Sequence, residues 1–88
     1  MYSLVIRPEL DRKLKKLYKR NRKQYEIIMK KAQEIVLNPQ HYKNLREPLQ
    51  NLKRVHIDTN FVLTFSVDEG TKTVILEDFD HHDNIYKT

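Results

Sequence analysis

The apolar residues of this chain change period near Asn51, and that change governs what it can fold into. Leu10, Leu14, Leu17 and Tyr18 recur at helical spacing, and Tyr25, Ile28, Met29, Ala32, Ile35 and Val36 do so again. Beyond Asn51 the spacing shortens to strand-like alternation, in runs from Leu52 to Asp58, Phe61 to Val67 and Thr73 to Phe79. A helical pattern laid on a strand, or the reverse, turns part of its apolar set to water. The first half therefore reads as helix and the second as sheet.

Punctuation sets the expected boundaries. Tyr2 to Ile6 is short, apolar and β-prone, which predicts a strand before the helices. Pro8 suits a first helical turn, where its missing N–H is not needed. Asn21, with Gln24 three residues later, predicts a capping box that opens a second helix. Asn38-Pro39 ends that helix, and a loop follows to about Asn51. Thr59-Asn60 predicts one tight turn. Asp68-Glu69-Gly70-Thr71 predicts the next, with Gly70, the single glycine, at positive φ. The expected order is β-α-α-β-β-β, an α+β domain with a helical hairpin on one face of a mostly antiparallel four-stranded sheet.

Its 88 residues (1–88) make one domain with a thin core. With no cysteine there is neither a disulfide framework nor a thiolate metal site. The N-terminal stretch lacks the basic and long apolar regions of a signal peptide. No apolar run approaches the roughly 20 residues of a membrane span. The expectation is a soluble cytoplasmic protein with no membrane partner.

Net charge is +5, and its distribution says more than its sum. Eight of the twelve residues from Arg12 to Lys23 are Lys or Arg, whereas Asp68, Glu69, Glu77, Asp78, Asp80 and Asp83 cluster late. A basic surface suits a polyanion through counterion release, and a solvated helix face has the same composition.

Alternation sorts the polar residues. Val55 and Ile57 point toward the helices, leaving Arg54, His56 and Asp58 on the other side. In the next strand Thr64 and Ser66 share that side with Val62. An open, concave polar face is expected there, with the stretch FDHHDNIYKT leaving the last strand beside it. His81-His82-Asp83 matches no usual zinc spacing and adjacent residues rarely converge on one ion, so no metal and no cofactor is expected. RNA cleavage by a ribose 2′-OH needs a base, an acid and cations for the phosphorane. His56, His82, Arg54 and Lys53 supply those types, and Phe61 or Tyr86 could stack a splayed base. On the residues alone, a solvent-facing strand histidine and a frayed C-terminal stretch fit equally well.

The run LKRVHIDTNFVLTFSVDEGTKTVILEDFDHHDNIYK closely resembles the C-terminal half of RelE/YafQ-type toxins of toxin–antitoxin modules. The basic hairpin and the NPQHYKNLREPL loop fit the same pattern, so the resemblance covers essentially the whole chain. It implies a RelE-like, microbial-RNase-like fold and metal-independent cleavage of mRNA in the ribosomal A site, neutralised by a RelB-like antitoxin that is partly disordered when free. By matching motifs, His56 is a strand histidine of the active site, Phe61 the aromatic opening the next strand, His82 the general acid or base, and Tyr86 the terminal aromatic. His81 and Asp83 lie beside them. The chain departs from YafQ-like members at Asn60, where they carry an acidic residue; either Asp58 compensates or the mechanism leans wholly on the two histidines. RelE itself relies on lysines, arginines and a tyrosine instead of histidines. Lys13, Lys16, Lys19, Arg20, Arg22 and Lys23 are expected to dock on ribosomal RNA. Two other functions fit: a ParE-like toxin that inhibits DNA gyrase without cutting RNA, or a non-catalytic RNA-binding module.

Overall fold

The structure, a computed structural model, describes residues 1–47 and 49–86. Strand β1 (Ser3–Ile6) leads into α1 (Pro8–Arg20) and α2 (Arg22–Leu37). A 3-10 turn (Pro39–His41) follows, then β2 (Lys53–Ile57), β3 (Phe61–Asp68), β4 (Thr73–His81) and the single-turn helix α3 (His82–Ile85). The sheet order is β1-β4-β3-β2, with β1 parallel to β4 and the other pairs antiparallel. This is the α+β arrangement expected, with a mixed sheet.

One residue makes the helical hairpin. The Asn21 N–H donates to the Leu17 carbonyl at 2.7 Å, closing α1, while its Oδ1 accepts the Gln24 N–H at 3.1 Å, opening α2. Only half of the expected capping box forms. The Asn21 N–H is already used, so the Gln24 side chain turns elsewhere, to Asp58.

Leu10, Leu14 and Leu17 of α1 and Ile28, Ala32, Ile35 and Val36 of α2 pack on Ile57, Leu63, Phe65, Val74, Leu76 and Phe79. Each large side chain buried there stabilises the fold by about 1.5–3 kcal/mol relative to exposure. The opposite face is less open than alternation suggests. Val62 and Thr64 are 0% and 2% exposed, and Leu45, also buried, lies outside the helix-side cluster. Helix α3 packs on β3 and β4. The loop after the 3-10 turn, whose residue 48 lies outside the described residues, runs along β2, with the Arg54 N–H donating to the Lys43 carbonyl. The concave polar surface is thus confined to the margin of that face.

Three further expectations are corrected. Gly70 has no positive φ; Lys72 (φ 53°) takes that conformation at the end of the turn, while Asp68 Oδ1 accepts the Thr71 N–H. The β2–β3 turn has three residues, Asp58 to Asn60, and Asp58 (φ 54°) is left-handed, a conformation Asp tolerates better than most. Strand β4 runs past Phe79 to His81, because an extra residue enters it. Thr64 opposes Asp78 but Phe65 opposes Leu76, leaving Glu77 unpaired in the ladder. Such a bulge shifts the alternation by one, so Phe79 joins Leu76 in the core.

Beyond Leu76 the outer edge of β4 has no neighbouring strand among the described residues, since β1 pairs only with Thr73–Leu76. Side chains serve that edge instead. Asp78 accepts the Phe79 N–H at 2.8 Å, Asp80 accepts the His81 N–H at 2.7 Å, and the Lys13 ammonium donates to the Phe79 carbonyl at 3.2 Å.

Candidate active site

His56 sits on β2 opposite Val62, exposed, with Arg54 two residues earlier on the same face. His82 is the first residue of α3, and its ring centroid lies 6.3 Å from that of His56, with planes 22° apart. The Tyr86 ring follows one turn later, 4.6 Å from His82. Arg54, His82 and Tyr86 form one wall of a cleft of about 670 Å³. The loop supplies the other wall through Lys43, Asn44, Leu45, Arg46, Glu47 and Leu49. Three cations against one carboxylate make this cleft attractive to a phosphate chain.

Helix α3 is too short to hold itself, so its neighbours fix it. The β3–β4 ladder continues one step past the strands, with the His82 N–H donating to the Asn60 carbonyl at 2.7 Å. His81 Nδ1 accepts the Asp83 N–H at 3.2 Å as the helix cap. Asn84 Nδ2 donates to Asp80 Oδ1 at 3.0 Å. That bond, with help from the His81 N–H and Lys13, holds the Asp80 carboxyl below its ordinary range. The His82 Nδ1 meets Asp83 Oδ1 at 3.4 Å.

The structure brings together His56, His82, Tyr86 and Arg54 of the residues expected from sequence, with Asp83 alongside, and leaves the others apart. Lys53 does not line the cleft; its ammonium braces the loop instead, donating to the Tyr42 carbonyl and to Oδ1 of the wall residue Asn44 at 3.1 and 3.0 Å. Asp58 accepts from Gln24 Nε2 at 3.0 Å. Phe61 stacks on Phe79 (5.3 Å) on the helix side, with the His81 ring against its edge (5.6 Å). There it lines a separate recess of about 220 Å³ with Leu17, Lys16 and Arg20. Lys13 is engaged by Asp78 at 2.8 Å and Asp80 at 3.5 Å; Arg22 pairs with Glu26 and lies over the Tyr18 ring. Lys16, Lys19, Arg20 and Lys23 are exposed. Lys43 and Arg46 were missed by sequence reasoning. They stand in a loop without periodicity, and long-range bonds to β2, from its backbone and from the Lys53 ammonium, bring them to the cleft.

Among the described residues no three His, Cys, Asp or Glu side chains come together as a metal site, and no helix is long and apolar enough to cross a membrane.

Residues 4–86 match the family model described as ParE toxin of type II toxin-antitoxin system, parDE. A Methanocaldococcus jannaschii protein named for the RelE toxins, RelE4, is 62% identical over 87 residues, spanning 99% of this chain and 93% of that one. The fold is similar to the isolated RelE toxin of E. coli (TM-score 0.75, 17% identity, 92% of this chain and 84% of that one). It is also similar to a chain of the toxin–antitoxin complex RelBE2 from Mycobacterium tuberculosis (TM-score 0.75, 22% identity, 91% and 96%).

Proposed function

Because this chain belongs to the ParE toxin family of type II toxin–antitoxin systems, within the RelE/ParE superfamily, we propose that it poisons translation as an mRNA endoribonuclease acting in the ribosomal A site. One observation carries this reading: two exposed histidines face each other at 6.3 Å beside a cationic cleft. A phosphodiester between them is within reach of both a base and an acid. One imidazole takes the proton of the ribose 2′-OH, whose oxygen attacks the adjacent phosphorus. The bond to the 5′-oxygen breaks as the other imidazole protonates it, leaving a 2′,3′-cyclic phosphate and a 5′-hydroxyl. The Arg54 guanidinium stabilises the charge that builds on the phosphorane. Tyr86 packs against His82 and offers a stacking surface to a base. Every proton moved in this reaction has a side chain of this chain to move it.

Lys16, Lys19, Arg20 and Lys23 would meet ribosomal RNA through phosphates, with little sequence preference. Lys13 and Arg22 already serve internal partners and contribute less. The antitoxin would be a small acidic or amphipathic chain, partly disordered until it folds on the basic surface. The occurrence of this fold in a toxin–antitoxin complex supports such a partner.

The test is cleavage mapping by primer extension on ribosomes programmed with a defined mRNA. Wild-type protein should cut in the A site, and His82→Ala and Tyr86→Ala should not. The name of the matching family favours a second reading, inhibition of DNA gyrase. Wild-type protein that blocks supercoiling and leaves programmed mRNA intact would establish that reading instead.

A further inference from the structure

Gln24 is one of two buried polar residues among those described, 7% exposed, and it lies far in sequence from the cleft. The Asn21 N–H closes α1, so it does not draw the Gln24 side chain back into a capping box, and the Gln24 amide N–H donates elsewhere. Its partner is Asp58 Oδ2, at 3.0 Å. Asp58 opens the β2–β3 turn in a left-handed conformation. His56 precedes Asp58 by two residues on β2, and Asn60, which closes the turn, accepts the His82 N–H at 2.7 Å. A three-residue turn therefore carries one histidine at its entrance and holds the backbone of the other at its exit. We propose that Gln24 and Asp58 are positioning residues, a strut from α2 that sets the distance between the His56 and His82 rings.

Little else fixes the turn. Asp58, Thr59 and Asn60 are all exposed, so packing does not immobilise them. The Gln24 amide holds the side chain of Asp58, and thereby its φ. Without it, the turn is free to exchange its left-handed residue for other three-residue geometries. The Asn60 carbonyl would then swing relative to β4, and α3 would lose its first anchor. Catalytic groups tolerate little such play, because small displacements cost rate more than binding.

This inference deepens the nuclease reading and rests on it for its catalytic consequence, but its structural arm does not. Amide hydrogen exchange by NMR reads the His82 N–H directly in the full chain. Gln24→Met, matched in volume, and Asp58→Gly, at an exposed site that glycine's backbone tolerates, each remove the bond. Asp58→Asn keeps an acceptor oxygen and a side chain that tolerates the left-handed conformation. Protection of the His82 amide should fall about three- to tenfold in the first two, as expected for one net hydrogen bond. It should stay near wild type in Asp58→Asn, with Leu63 and Leu76 amides unchanged in all three. In ribosome-programmed cleavage, kcat should fall by a similar factor with KM within twofold, and Asp58→Asn should rescue it. Unchanged His82 protection in folded Gln24→Met and Asp58→Gly overturns the strut. Wild-type protein that cuts no RNA overturns the nuclease reading, and the strut then stands or falls on His82 protection alone.

Discussion

His82 works in two ways at once: its backbone is tied to Asn60 and its ring lies between His56 and Tyr86. Replacing it with alanine should remove proton transfer and lower kcat by about 10²–10⁴, the usual range for a general acid or base. In pH–rate profiles the wild type should give a bell, and His56→Ala and His82→Ala should each lose one limb. Which limb goes with which variant assigns acid and base, a question on which sequence is silent because both candidates carry the same imidazole. Period-two alternation is enough to group Arg54 with His56. The same parity puts Lys53 with Val55 and Ile57, and Phe61 with Leu63 and Phe65, so their distance from the cleft was also legible. Lys43 and Arg46 were not legible, since nothing local tells where an aperiodic loop will lie.

At the scale of elements, one carboxylate ties α3 back to β4. Asp80 takes the Asn84 amide and the His81 N–H, and its folded-state pKa is depressed. The unfolded chain therefore binds a proton at higher pH than the folded one. The stabilisation is full above the ordinary carboxylate value of about 4 and is lost as pH falls through the folded value. Lowering the pH below about 4 should loosen α3 first, seen as rising exchange at the Tyr86 amide while core amides stay protected. Asp80→Asn should be looser at neutral pH and flatter in this acid range. Both helices, their shared cap and three alternating strands were readable from spacing and punctuation. The bulge at Glu77 was not. Burial alone would raise the Glu77 carboxyl, yet bonds from Arg7 and Ser66 bring it below its ordinary range, and those partners meet it only in three dimensions. A bulge is an agreement between two strands, and neither strand states it alone.

For the molecule as a whole, the basic run divides into cations that hold the fold and cations left to solvent. Lys13 braces the end of β4, whereas Lys16, Lys19, Arg20 and Lys23 are exposed. If two of these contact phosphates, Lys16→Gln with Lys23→Gln should reduce the log–log salt slope of single-stranded RNA binding by roughly 1.4, and should leave thermal stability nearly unchanged. Lys13→Gln should do the reverse. Fluorescence anisotropy across a salt series and thermal melts separate the two classes. The charge sum could be read from composition, but the division could not, because it depends on which acids the fold delivers to which helix.

The guarded end of β4 bears on how this protein lives in a cell. A strand left without a neighbour is an invitation to pair with whatever strand drifts past, and accidental pairing is how small sheets begin to clump. Here the two aspartates and Lys13 answer the backbone's own bonding groups before any stranger can. A toxin of this family built so carries its own stopper, fitted a few residues from its candidate site.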